Sequence, residues 1–166
     1  MGFGYILTCP NQECDYKTNL FCGVGMMFHK TYREVMDSAR KVLISEKHTQ
    51  FLKEHPDGAI NTDTKIYQCK DCHHIFTEFA LDMYIPRYED YNNLPEKGIW
   101  SSANPVEGEN YVTPYDLSMY YKLCKRHTHH CPECGGKATV VNNINRIKKI
   151  CPKCGSPLLE ETIMWD

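Results

Sequence analysis

Cys131-Pro132-Glu133-Cys134-Gly135 recurs as Cys151-Pro152-Lys153-Cys154-Gly155, and sixteen residues separate the two cysteine pairs. A C-x2-C turn places two sulfurs on one edge of a tetrahedron, so a second such turn can complete a closed four-thiolate metal site. Pro fixes φ at the turn, and Gly accepts a left-handed conformation that other residues resist. Two C-x2-C pairs separated by roughly 15 to 20 residues are a zinc template.

Ten cysteines occur in 166 residues. The N-terminus shows no basic start followed by an apolar stretch and a cleavage site, and no uncharged apolar run approaches the roughly 18 to 20 residues of a membrane span. Met1-Gly2 opens like an acylation signal, but Ile6 stands where Ser or Thr is required. These features predict a cytoplasmic chain without a membrane segment, whose thiols stay reduced and act as metal ligands or redox groups rather than disulfides. A thioredoxin-type pair would use one C-x-x-C in a βαβ context, not duplicated knuckles.

On these two motifs the sequence resembles the zinc-ribbon superfamily, over about 131–159. The resemblance implies short antiparallel β-hairpins around one structural Zn²⁺ held by Cys131, Cys134, Cys151 and Cys154. C-P-x-C-G also resembles the rubredoxin type of site, which would hold iron for electron transfer.

A second site is assembled from Cys9, Cys14, Cys69 and Cys72. Four residues separate Cys9 from Cys14, at the upper end of ligand spacings, Cys69-Lys70-Asp71-Cys72 is a regular C-x2-C turn, and 54 residues lie between the pairs. Strand-like runs, Tyr5-Ile6-Leu7-Thr8 and Lys65-Ile66-Tyr67-Gln68, lead into each pair. His73 or His74 is an alternative ligand to Cys14. Cys69 to His73 also reads C-x-x-C-H, the attachment motif of c-type haem, but that chemistry follows export and no export signal is present. Cys22, in an apolar run, and Cys124, on an apolar helix face, are expected outside both sites.

The fold class expected is α+β: two four-cysteine zinc-ribbon modules, a helical insertion in the first and a helix before the second. Residues 1–86 form the first module, with the insertion at about 31–55. There Thr31 and Glu34 make a capping box, Tyr32, Val35, Met36, Ala39, Val42 and Leu43 recur at helical spacing, and Ser45 caps a second segment. After Cys72, alternation from Ile75 to Ile85 reads as one long half-buried strand. Residues 87–113 are an aromatic, Pro-rich linker or ordered loop that includes Trp100. Residues 114–166 hold a helix capped by Thr113, with Pro114 at its first position and Lys125, Arg126 and His127 at its end, and then the second ribbon.

Charge divides unevenly, with net −6 over 1–116 and +4 over 117–166. Each Zn²⁺ bound by four thiolates adds about −2, leaving the first module acidic and the second mildly basic. No phosphate loop or nucleophile elbow is present, and a closed four-cysteine site has no open position for water, so no enzyme and no small-molecule substrate are expected. The function expected is a non-catalytic adaptor that uses two structural Zn²⁺ to present surfaces to a protein, with Trp100 as a contact. Alternatives are a nucleic-acid binder, using Arg146, Lys148 and Lys149 on the ribbon finger, and a rubredoxin-like iron protein.

Overall fold

The computed structural model describes residues 2–23, 25, 28–87 and 111–165. Among them, in chain order, are β1 (Gly2–Thr8), β2 (Lys17–Cys22), α1 (Phe28–Arg40), α2 (Glu46–Glu54), β3 (Ala59–Ile60), β4 (Thr64–Cys69), β5 (Ile75–Phe79), β6 (Met83–Pro86), α3 (Pro114–Tyr120), β7 (Tyr121–Lys125), β8 (Ala138–Val140) and β9 (Leu159–Trp165). This is a mixed α/β chain of short helices and small antiparallel sheets.

The chain forms two compact units that interleave along the sequence, in place of the linear division at 86 and 113. One comprises Met1–Gly25, Thr64–Phe79 and Thr128–Asp166; the other comprises Met26–Asp63 and Ala80–His127. The charge asymmetry of the linear reading dissolves with it, because the first unit carries eight Lys or Arg against eight Asp or Glu.

In the first unit β1 is the centre of a sheet ordered β2-β1-β9, and β4 is the centre of a sheet ordered β5-β4-β8. All these pairings are antiparallel, with Phe3 opposite both Cys22 and Met164, and Ile66 opposite Thr77. Alternation explains the packing: Leu7 and Leu20 point inward from the first sheet, and Ile66 and Ile75 from the second. They meet Tyr16, Cys22, Ile144 and Leu158 in one buried cluster that also contains the thiols of Cys9 and Cys151. Cys22 thus lies in the core, as its apolar run predicts.

In the second unit α1 begins at Phe28, which it buries with Tyr32, Val35, Met36 and Ala39 of the expected stripe; Val42 and Leu43 lie beyond its end at Arg40 and are exposed. Thr31 is therefore inside the helix and not at its start. Ser45 is the N-cap of α2, yet its hydroxyl makes no capping bond and pairs instead with His48 Nδ1 at 2.7 Å. Thr113 does form a capping box with Asp116 at the start of α3, with Pro114 following. That helix ends at Tyr120, and Cys124 lies exposed on β7 rather than on a helix face. The single strand expected from Ile75 to Ile85 is two strands, because Leu81 adopts φ +55° and separates β5 from β6. β6 then pairs with β3 and β7 over Ala59, Leu117 and Tyr121. Among the described residues, no helix is long and apolar enough to cross a membrane.

Candidate metal centres

All four knuckles sit in the first unit and share one turn closure. Cys69 N–H donates to the His74 carbonyl at 2.9 Å, Cys131 N–H to that of Gly136 at 2.8 Å, and Cys151 N–H to that of Ser156 at 2.8 Å. Each bond spans five residues. In the Cys9 knuckle the equivalent bond runs from Cys9 N–H to the Tyr16 carbonyl at 3.0 Å, spanning seven. The two additional residues of the C-x4-C spacing are thus taken up inside the turn, and both sulfurs still face one point. Gly135 and Gly155 hold φ +73° and +75°, the conformation expected of them. His73, which follows Cys72 as those glycines follow Cys134 and Cys154, holds φ +60°.

The eight expected ligands converge in two quartets, but the knuckles are partnered differently from the sequence reading. Cys9 and Cys14 join Cys151 and Cys154, here centre A; Cys69 and Cys72 join Cys131 and Cys134, here centre B. Strand pairing is the reason. A hairpin linking the two C-P-x-C-G motifs would require the segment after Cys134 to pair with the segment entering Cys151. Instead β8 pairs with β4, carrying Cys131 and Cys134 to the β4–β5 turn, and β9 pairs with β1, carrying Cys151 and Cys154 to the β1–β2 turn. Between them a 3-10 turn, Ile144–Arg146, inserts Ile144 into the core.

The geometry suits a metal ion. Across the knuckles Sγ atoms lie 3.4 Å apart for Cys9 and Cys154, 3.6 Å for Cys14 and Cys151, 3.5 Å for Cys69 and Cys134, and 3.6 Å for Cys72 and Cys131. All four ligand atoms of each quartet lie within 4.8 Å of one another. A tetrahedron with metal–sulfur bonds of about 2.3 Å has edges of about 3.8 Å, so little rearrangement is needed to seat an ion. Four thiolates fill a tetrahedral shell completely.

Local polar groups already favour the ionised form of one sulfur per centre. The Ser156 hydroxyl and backbone N–H bring the Cys154 thiol down to about 6. Burial pushes Cys69 up, but the backbone N–H groups of Cys72 and Asp71 outweigh it and leave the thiol at about 7. Asp71 N–H lies 3.4 Å from Cys69 Sγ. Burial pushes Cys9 and Cys72 up to about 12. A cation is what would hold all four thiolates together in such a site.

Neither histidine replaces a cysteine in the quartets. His74 stacks on Phe76 and meets Tyr16 edge-on at 6.4 Å. Tyr16, two residues after Cys14, is buried in the cluster that holds Cys9 and Cys151. Burial pushes its hydroxyl up to about 12, and the charges of Cys151, Glu133 and Cys72 add to the effect. Sequence reading missed Tyr16 and Ser156; the latter's signal is its place closing the second C-P-x-C-G turn. It also missed His129, buried against Tyr67 with Nδ1 2.8 Å from Glu78 Oε2. Cys22 and Cys124 belong to neither quartet.

Of the expected partner contacts, Trp100 lies outside the described residues. Arg146 ends the 3-10 turn, Lys148 is exposed, and Lys149 Nζ is bonded to Glu160 Oε2. No protein family, curated protein or solved structure that was compared with this chain matches it, so its residues and geometry alone carry the argument.

Proposed function

We propose that this is a non-catalytic double-zinc protein whose two structural Zn²⁺ ions order a surface that docks another protein. The observation that carries the metal reading is the convergence of eight cysteines from four distant knuckles into two compact quartets. Both knuckle spacings lie in the range of structural zinc ligands, and tetrahedral all-thiolate sites suit zinc, with iron as the rival. The quartets resemble ribbon centres in which one hairpin knuckle faces one C-P-x-C-G knuckle. Four protein ligands leave no position for water or substrate, which supports a structural role over catalysis.

For the partner, the outer face of the β2-β1-β9 sheet is informative. Gly4 is opposite both Phe21 and Ile163, and a Cβ at Gly4 would come within 3.3 Å of each of their side chains. Phe21 is 42% exposed and Leu159, further along the same face, 62%. This face, apolar at Phe21, Ile163 and Leu159 with Lys17, Asn19 and Glu161 beside them, suits a protein. With two metal ions bound by eight thiolates, the formally neutral first unit carries about −4, which opposes the nucleic-acid reading.

Elemental analysis of the purified protein should return two zinc ions per chain and no colour. One metal per folded chain, or stoichiometric iron, would sink the reading. Capture with the metal-loaded protein after nuclease treatment should keep its partner, lose it with Phe21→Glu, and keep it with Lys148→Glu. A partner released by nuclease, or lost only with Lys148→Glu, would transfer the assignment to nucleic acid.

A further inference from the structure

Centres A and B are nested in the chain and built on one core. The ligands Cys9 and Cys151 of centre A belong to the same buried cluster as Ile66 and Ile75, which stand on the strands flanking the Cys69-Cys72 knuckle of centre B. Tyr16, which closes the Cys9 knuckle through its carbonyl, meets His74, which closes the Cys69 knuckle through its own. The Tyr16 hydroxyl is buried with no hydrogen-bond partner. Gly23 N–H also reaches the Thr64 carbonyl at 3.4 Å, tying the end of β2 to the start of β4.

From this arrangement we infer that the two centres load as one cooperative unit, so that the protein passes between an unloaded and a doubly loaded state in response to metal. The inference rests on the proposal that each quartet holds a metal. Two physical effects act in the same direction. The first is packing. Ile66 and Ile75 share one buried cluster with Leu7 and Leu20 of the other sheet, so an ion that orders either sheet prepares the apolar surface on which the other must fold. A site that is preformed by its neighbour binds more tightly than one that must order its own residues.

The second is chain connectivity. Without centre B, 136 residues separate Cys14 from Cys151. With it closed, the path runs through 15–68 and 135–150, about 70 residues. Halving a loop favours its closure by about threefold. Linkage makes the benefit reciprocal: whatever centre B contributes to A, A contributes to B.

The test is a cobalt(II) titration of the full chain, read by thiolate charge-transfer absorption, with zinc(II) competition for affinity. The wild type should bind two ions with a Hill coefficient clearly above one. With centre B removed by Cys72→Ser and Cys134→Ser, centre A should bind at least tenfold more weakly. Because that variant could lose structure for other reasons, Tyr16→Ala, which keeps all eight thiolates, supplies a second arm. It should still bind two ions, with the Hill coefficient reduced towards one. A remaining centre whose affinity stays within about threefold of wild type, the part that connectivity alone supplies, overturns the shared-core coupling, as does Tyr16→Ala with undiminished steepness. Two ions bound independently by the wild type would refute cooperativity while leaving both metal centres standing. Fewer than two would instead remove the metal reading itself.

Discussion

His73 holds φ +60° in the position where Gly135 holds +73°, each immediately after the second cysteine of its knuckle. The turn demands a left-handed residue whatever the side chain, and a residue with a Cβ there costs about 1 to 2 kcal/mol. His73 is exposed, and its carbonyl lies 3.4 Å from Gln68 Nε2, a contact independent of its imidazole. His73→Gly should therefore stabilise the metal-loaded protein by about 0.5 to 1 kcal/mol after the greater chain entropy of glycine is subtracted. Gly135→Ala should destabilise it by about 1 to 2 kcal/mol, although nothing lies within 4 Å of the added Cβ. Denaturant unfolding measures both; destabilisation by His73→Gly would show that its side chain does more than fill the turn.

The contrast between those knuckles and their partnering shows what was legible in the sequence. Spacing within a knuckle is a local property, so all eight members of the quartets, and the absence of Cys22 and Cys124 from them, could be read directly. Which knuckles face each other is decided by β1 with β9 and β4 with β8, pairings between strands far apart in the sequence whose registers leave no mark in local spacing. Similar limits explain the helices. The capping box at Thr113 is written in consecutive residues and was legible. The same motif at Thr31 was misleading because Phe28 extends the apolar stripe one turn earlier and is buried there. Leu81 broke an apparently continuous strand, since alternation cannot register one residue at positive φ.

Within the second unit, His48 is fully buried and uses both ring nitrogens, Nδ1 with Ser45 Oγ at 2.7 Å and Nε2 with the Leu81 carbonyl at 2.9 Å. It thereby links the start of α2 to the kink between β5 and β6. His48→Ala removes the ring's packing and leaves buried polar groups without this partner, at a cost of about 2 to 4 kcal/mol. Thermal unfolding should show the loss while metal analysis still returns wild-type content. A change below about 0.5 kcal/mol would mean that the link is not structural.

His74 gives the first unit a pH dependence of definite sign. Burial holds its imidazole below the ordinary histidine value of 6.5, with the Glu133 carboxylate opposing the shift. Its contribution is therefore complete above pH 6.5 and is lost as the pH falls through the lower folded value, because the unfolded chain binds the proton first. Protonation of metal-bound thiolates acts in the same direction, so the comparison must be with a variant. His74→Phe keeps the ring stack on Phe76 and the backbone bond to Cys69 but has nothing to titrate. Between pH 7.5 and 5.5 its unfolding midpoint should fall less than that of the wild type; parallel declines would assign the whole dependence to the thiolates.

The nested partnering of the knuckles predicts which protons each metal will sense. In a linear arrangement one ion would couple to Cys131, Cys134, Cys151 and Cys154, all within a 24-residue stretch. In the structure, Cys9, Cys14, Cys151 and Cys154 form one quartet, and Cys69, Cys72, Cys131 and Cys134 the other. Cadmium-113 has the tetrahedral thiolate chemistry of zinc and a nuclear spin, so scalar correlations from each ion to cysteine β-protons identify its four ligands directly. One cadmium resonance should correlate with both ends of the chain, Cys9 with Cys154, and the second with Cys69 and Cys134. A resonance correlated with Cys134 and Cys154 together would restore the linear ribbon and separate the sheet pairing of β8 and β9 from the metal sites. The variants give an independent check, since Cys154→Ser should abolish the resonance that reports Cys9 and leave correlations to Cys69 and Cys72 on whatever cadmium remains bound.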